Sequence, residues 1–161
     1  MANWYEKVSS NISNLPDCIE YYEEQLIEAR KEIPMHGSIE KSSSMLPAIV
    51  ETRFAQLQEI EAILEHLNIQ LRRIRAQTFR KFLEKYERAL TSRDAGVYVD
   101  GESEVVGQTE LINQFGLLRN QFLGVLKALE AKQFQINNIV KLRVAGLEDS
   151  EINIFYGNPN K

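Results

Sequence analysis

The chain has 161 residues, 43% of them apolar and 26% charged, the balance of an ordinary folded chain and too short for two typical domains. A net charge of −4 excludes a general polyanion-coating protein, and one cysteine, Cys18, excludes an internal disulfide framework or a cysteine-based zinc site. No stretch reaches the roughly 18 consecutive apolar residues of a membrane span. The start, MANWYEKVSS, lacks the apolar core of a signal peptide, so a cytoplasmic setting without membrane association is expected.

Residues 3–13 read as a short amphipathic helix, with Trp4, Val8 and Ile12 four apart and Asn3 as its cap. Leu15-Pro16-Asp17 restarts the chain, because proline suits a first helical turn. From Asp17 to about Ile33, Ile19, Tyr22, Leu26, Ala29 and Ile33 step by three and four, a heptad seam. Pro34 and Gly37 end this region (1–36), and the serine-rich GSIEKSSS predicts a linker over 37–46.

Between Pro47 and Gly96 there is neither proline nor glycine. Leu57, Ile60, Leu64, Leu67, Leu71 and Ile74 keep a strict three–four spacing, continued by Phe82, Tyr86 and Leu90. With Ser44 as cap and Pro47 in the first turn, this predicts one helix over about 45–91, roughly 65–70 Å long. TSRDAGVYVDGESE interrupts it: Val97-Tyr98-Val99 is β-prone and Asp100-Gly101 a turn signal, with too little alternation afterwards for a hairpin.

A second long helix is expected from about Ser103 or Gln108 to Ala145, along Leu111, Phe115, Leu118, Phe122, Val125 and Leu129, resuming at Ile136 and Val140. Gly116 and Gly124 lower its helix propensity, which close helix–helix approach would offset. Gly146 is placed as a C-terminal cap. In the tail, 147–161, Ile152, Ile154 and Tyr156 alternate as in a short strand. There is no internal repeat.

The expected fold is therefore all-α: short N-terminal helices, then a long antiparallel, coiled-coil-like helical hairpin over 47–146. Each long helix carries a second apolar set off its seam: Ile49, Phe54, Ile63, Ile69, Phe79 and Leu83 on the first, Leu117, Leu123, Phe134, Ile139 and Leu142 on the second. Neighbouring copies are the natural cover, so a homo-oligomer is expected, with Leu57, Leu64, Leu67, Leu71, Leu118, Phe122 and Val125 as its oligomerisation residues.

No catalytic signature is present: no phosphate loop, no His-Glu-x-x-His, no nucleophile elbow. His36 and His66 lack neighbouring metal-ligand partners, and Asp94, Asp100, Glu102 and Glu104 do not match an EF-hand loop. No enzyme activity, metal or cofactor is expected. The sharp feature is basic. Residues 72–93 hold Arg72, Arg73, Arg75, Arg80, Lys81, Lys85, Arg88 and Arg93 against Glu84 and Glu87, eight minus two or +6. Phe79, Phe82 and Tyr86 interleave with them, a pattern that suits phosphate contacts and base stacking. The competing reading has these aromatics in the core and the arginines paired with Glu51, Glu59, Glu61 and Glu65 of a neighbouring copy.

The stretch VETRFAQLQEIEAILEHLNIQLRRIRAQTFRKFLEKYERALTSRDAGVYVDGE, with LINQFGLLRNQFLGVLKALEAKQFQINNIVKLRVAGLED, resembles the small terminase subunits of large contractile-tailed phages, cyanophages in particular. The resemblance spans about residues 45–150 and rests on helical pattern. It implies an oligomeric ring in the host cytoplasm that binds viral double-stranded DNA and regulates a separate large terminase ATPase–nuclease without hydrolysing ATP. On it, Arg72, Arg73, Arg75, Arg80, Lys81, Lys85 and Arg88 would contact DNA. Residues 1–35 depart from the family's frequent helix-turn-helix. VYVDGE and LKALEAKQFQINNIVK are also similar to UvsY-type recombination mediators, oligomeric helical proteins that bind single-stranded DNA. A structural coiled-coil adaptor with no DNA role is the alternative outside nucleic-acid biology.

Overall fold

A computed structural model of the chain describes residues 3–85 and 91–146, and every regular element among them is helical. Helix α1, Trp4–Ser10, starts where the Asn3 side chain accepts the Glu6 N–H at 3.1 Å. It stops short of the expected residue 13 because Asn11 turns extended (φ −149°), and a 3₁₀ turn, Ile12–Asn14, follows. Ile12 consequently leaves the stripe and is exposed. Helix α2, Leu15–Lys31, carries Pro16 in its first turn and buries Leu15, Cys18, Tyr22, Leu26 and Ala29 along one side.

Gly37, at φ +74°, reverses the chain, a conformation that favours glycine. Helix α3 then runs from Ile39 to Lys85, so the expected linker is largely helix. Its serines explain the difference. Ser38 Oγ accepts the Lys41 N–H at 3.2 Å, capping the helix start. Ser42 Oγ donates to the His36 carbonyl (3.1 Å), and Ser44 Oγ, expected as a cap, donates back to the Lys41 carbonyl (3.0 Å) from inside the helix. Pro47 sits within the helix rather than in its first turn.

The β-prone segment is also helical: α4 spans Ser92–Gly101. Thr91 caps it: its Oγ1 accepts the Asp94 N–H at 3.2 Å and donates to the Asp94 carboxylate at 2.6 Å. Ala95 and Val99, four apart, are buried, while Val97 and Tyr98 face out. Helix α5, Ser103–Val144, ends as expected at Gly146, whose φ is +75°.

Helices α3 and α5 lie side by side in opposite directions. Gln108, early in α5, donates to the Leu67 carbonyl late in α3 (3.0 Å), and Leu46, early in α3, lines one groove with Ile136 near the end of α5. Leu57, Ile60, Ile63 and Leu67 meet Phe115, Leu118, Phe122 and Leu129, and Tyr22 stands edge-on to Phe122 at 6.0 Å. The residues expected to join copies are thus used inside one copy. Leu57, Leu67, Leu118, Phe122 and Val125 are buried and Leu64 and Leu71 half-buried, because α5, tethered in the same chain, supplies the matching seam.

Polar contacts set the register of this apolar core. Arg53, only 5% exposed, grips the Glu32 carboxylate with Nε (2.8 Å) and Nη2 (2.7 Å), and its Nη1 donates to Gln56 and Gln25. From α5, Lys132 Nζ donates to the carbonyls of Glu32 (2.8 Å) and Pro34 (3.1 Å), closing the end of α2. Glu59 of α3 accepts the Tyr22 hydroxyl (2.6 Å) and the Tyr5 N–H (3.0 Å), which holds α1 and α2 against it. Arg53→Ala strands the Glu32 carboxylate, and denaturant unfolding should show a loss on the order of 3 kcal/mol. A loss below about 1 kcal/mol would show that the pair does not hold α2 to α3.

Candidate nucleic-acid interface

The late half of α3 presents its cations to solvent. Arg72, Arg73, Arg75, Arg80 and Lys81 are all exposed, as is Arg93 on α4. Arg73 and Arg80 are seven residues apart, so they share the helix side that faces away from Leu67, Ile74 and Thr78. Lys85's side chain, Arg88 and Tyr86 lie outside the described residues, as do Leu90 and the tail, 147–161.

Among the described residues, two of these cations have acidic partners. Arg72 Nη2 pairs with Glu65 at 2.9 Å and Arg75 Nη2 with Asp100 at 2.7 Å, both on the surface. Exposed pairs of this kind contribute at most about 1 kcal/mol each, so a phosphate can compete for either arginine. The acidic group thereby finds a role: Asp94 caps α4 and Asp100 partners Arg75. Among the described residues no group of three or more His, Cys, Asp or Glu is disposed to hold a metal ion. The aromatics divide. Phe79 and Phe82 are half-buried, and Phe82 stacks on the exposed Tyr98 with centroids 5.8 Å apart and planes 29° apart.

Elsewhere, Cys18, Tyr22, Lys132 and His66 sit in structural surroundings. Burial, reinforced by the charge of Glu59, pushes the Cys18 thiol from its ordinary 9.0 up to about 12. Tyr22 is held protonated by burial and by its bond to Glu59. Burial lowers Lys132, which is engaged with the two carbonyls at the end of α2. His66 is half-buried, edge-on to Tyr5 at 6.4 Å. Sequence reasoning passed over Arg53, Gln108 and Lys132, although each occupies a seam position where an apolar residue is the rule.

Three grooves, of about 500, 680 and 330 Å³, open at the helix junctions, lined mainly by apolar side chains and amides or, in the smallest, by lysines. No helix among the described residues is long and apolar enough to cross a membrane. No protein-family model, curated protein or solved structure matches the chain.

The buried acids generate a pH dependence. Cys18 loses its proton at 9.0 in the unfolded chain and at about 12 in the folded one, and Tyr22 shifts in the same direction. Between these values the folded state binds more protons, so stability falls as pH rises from about 9 to 12. Replacing Cys18 with Ala should flatten the fall by up to about 1.4 kcal/mol per pH unit, measured by denaturant unfolding at pH 9–11. An unchanged slope would show that the thiol is not held protonated by the fold.

Proposed function

We propose that the chain is a non-catalytic, oligomeric DNA-packaging protein of the small-terminase kind, acting in a host cytoplasm. In this reading α3 and α5 form an antiparallel, coiled-coil-like hairpin whose outer faces assemble copies. Its free cationic end binds viral double-stranded DNA, and the assembly regulates a large terminase ATPase–nuclease. The observation that supports DNA contact is the exposed row of Arg73 and Arg80, flanked by Arg72 and Lys81. Seven residues of helix span about 10 Å, close to three phosphate steps along one strand of B-form DNA. The row therefore suits backbone contacts, which position a protein without reading sequence. The structural engagement of Cys18, Tyr22, Arg53 and Lys132 supports the absence of a catalytic role for them.

One observation favours the single-stranded alternative. The exposed Tyr98 ring, stacked on Phe82, sits in the same region as Arg75 and its partner Asp100, and aromatic platforms beside cations suit unpaired bases. Comparing duplex with single-stranded DNA of equal length separates the two.

Replacing Arg72, Arg73, Arg80 and Lys81 with glutamine should weaken DNA binding at least tenfold at low salt. The slope of log affinity against log salt should flatten by about 3, since each duplex phosphate contact releases close to one counterion. Unchanged affinity and slope in a folded variant, or no binding by the parent protein at low salt, would remove the DNA reading.

A further inference from the structure

The outer face of α5, turned away from Phe115, Leu118, Phe122 and Leu129, carries features that nothing within one copy explains. Leu117 and Phe134 stand on it 61% and 68% exposed, and Leu142 is exposed as well. Isolated exposed apolar residues are ordinary, but these lie along one strip with Asn120, Gly124, Ala131 and Asn138, in which Lys127 is the one charge. Two glycines interrupt the helix here. A Cβ built on Gly116 or Gly124 meets nothing within 4 Å, so close approach inside the chain, the expected compensation for these residues, does not occur. Each glycine nonetheless weakens the helix relative to alanine.

We infer that this strip is the contact between two copies of the chain, with α5 packed on α5 in antiparallel two-fold fashion about a point between Gly124 and Val125. The assignment rests on how the strip maps onto itself under that axis. Gly124 falls opposite Gly124, letting the two backbones approach. Phe134, beyond the axis, falls opposite Gly116 of the second copy, and Leu117 falls opposite Ala131, so each bulky side chain meets a small one. On one flank Arg119 and Glu130 lie five and six residues from Gly124 on opposite sides, which brings unlike charges together twice. A surface that matches itself in shape about one axis, with unlike charges paired on its flank, is the signature of an isologous contact.

The size fits. From Val106 to Leu142 the strip is about 54 Å long. At a helix's width of about 10 Å, it would bury on the order of 1,100 Å² over both copies, within the range of specific though not the tightest interfaces. This inference rests on the reading of the chain as a homo-oligomer and names the face that joins copies; it is independent of the DNA reading.

Light scattering and sedimentation equilibrium of the full chain test it. The parent protein should form dimers, or larger species built from them, at micromolar concentration. Gly124→Leu should raise the dissociation constant at least tenfold. Because space around Gly124 is open within one copy, the same substitution should raise the melting temperature of the dissociated chain by about 2–4 °C. Phe134→Glu should also dissociate the copies while leaving helix content intact by circular dichroism. Arg119→Glu and Glu130→Arg should each weaken association, and the double exchange should restore it. Undiminished assembly in Gly124→Leu and Phe134→Glu overturns this interface and leaves the oligomer reading standing on another face. A parent protein that stays monomeric overturns both, and DNA titration of the same samples still decides the nucleic-acid reading separately.

Discussion

A helix of 47 residues with an apolar side needs partners to cover it, and in this chain the seam of α3 is closed by α5 over most of its length and by α4 near its end. Apolar seams built on three–four spacing have a weakness, since one can slide by a heptad and still find apolar partners. The buried polar contacts remove that freedom. Gln108 finds its acceptor only at Leu67, and Lys132 reaches the end of α2 only when α5 stands in one position along α3. A slip by one turn leaves these donors buried and unpaired, which costs about as much as several apolar contacts. The same contacts recruit α2, because Glu32 is gripped from α3 by Arg53 while its carbonyl is capped from α5. Register, tilt and the docking of the N-terminal helices are thus one problem with one set of solutions.

How much of this was legible depends on whether a signal was local. The long helices, the Asn3 cap and the Gly146 stop were readable because spacing, a cap side chain and a positive φ are properties of a few neighbouring residues. The two misread segments had local signals that pointed the wrong way. Serine-rich sequence reads as a linker, yet here Ser38 caps the helix, Ser44 bonds back into it and Ser42 ties it to the His36 carbonyl, and Ser42 and Leu46 are buried by tertiary packing. Val97-Tyr98-Val99 reads as a strand, but the Thr91 cap was a start signal for a helix in the same stretch, and burial of Ala95 and Val99 completes it. The polar network was legible only as a gap. The α5 seam skips from Leu129 to Ile136, and Lys132 sits in the skipped position. Its acceptors lie about a hundred residues away, which no spacing argument reaches.

The candidate site was legible in composition and less so in arrangement. The cationic segment stands out in the sequence, and its arginines do face solvent. Its neutralisation was not readable, because Asp100 is brought to Arg75 by an α4 that the β-prone reading had removed. Part of the acidic face weighed as a neighbouring copy's is used within the chain instead: Glu59 holds Tyr22 and Tyr5, and Glu65 holds Arg72.

The outer sides of the two long helices differ in a way that bears on how the proposed DNA binding and assembly would coexist. The outer side of α3 is polarised, with Glu51 and Glu65 exposed before Leu67 and Arg73 and Arg80 exposed after it. The outer strip of α5 carries a single charge, Lys127. An assembly joined through basic surfaces would have to overcome repulsion between copies, and would cover the cations that could meet phosphate. Joining through α5 about Gly124 avoids both. Antiparallel pairing sends the basic ends to opposite extremes, roughly 70 Å apart at the helical rise, far beyond the screening length at physiological salt. In the proposed assembly each end would meet a polyanion independently, while the pairing would fix the distance between them. Two weak phosphate-binding ends held at a fixed span bind a duplex more tightly than either alone, provided the duplex can reach both.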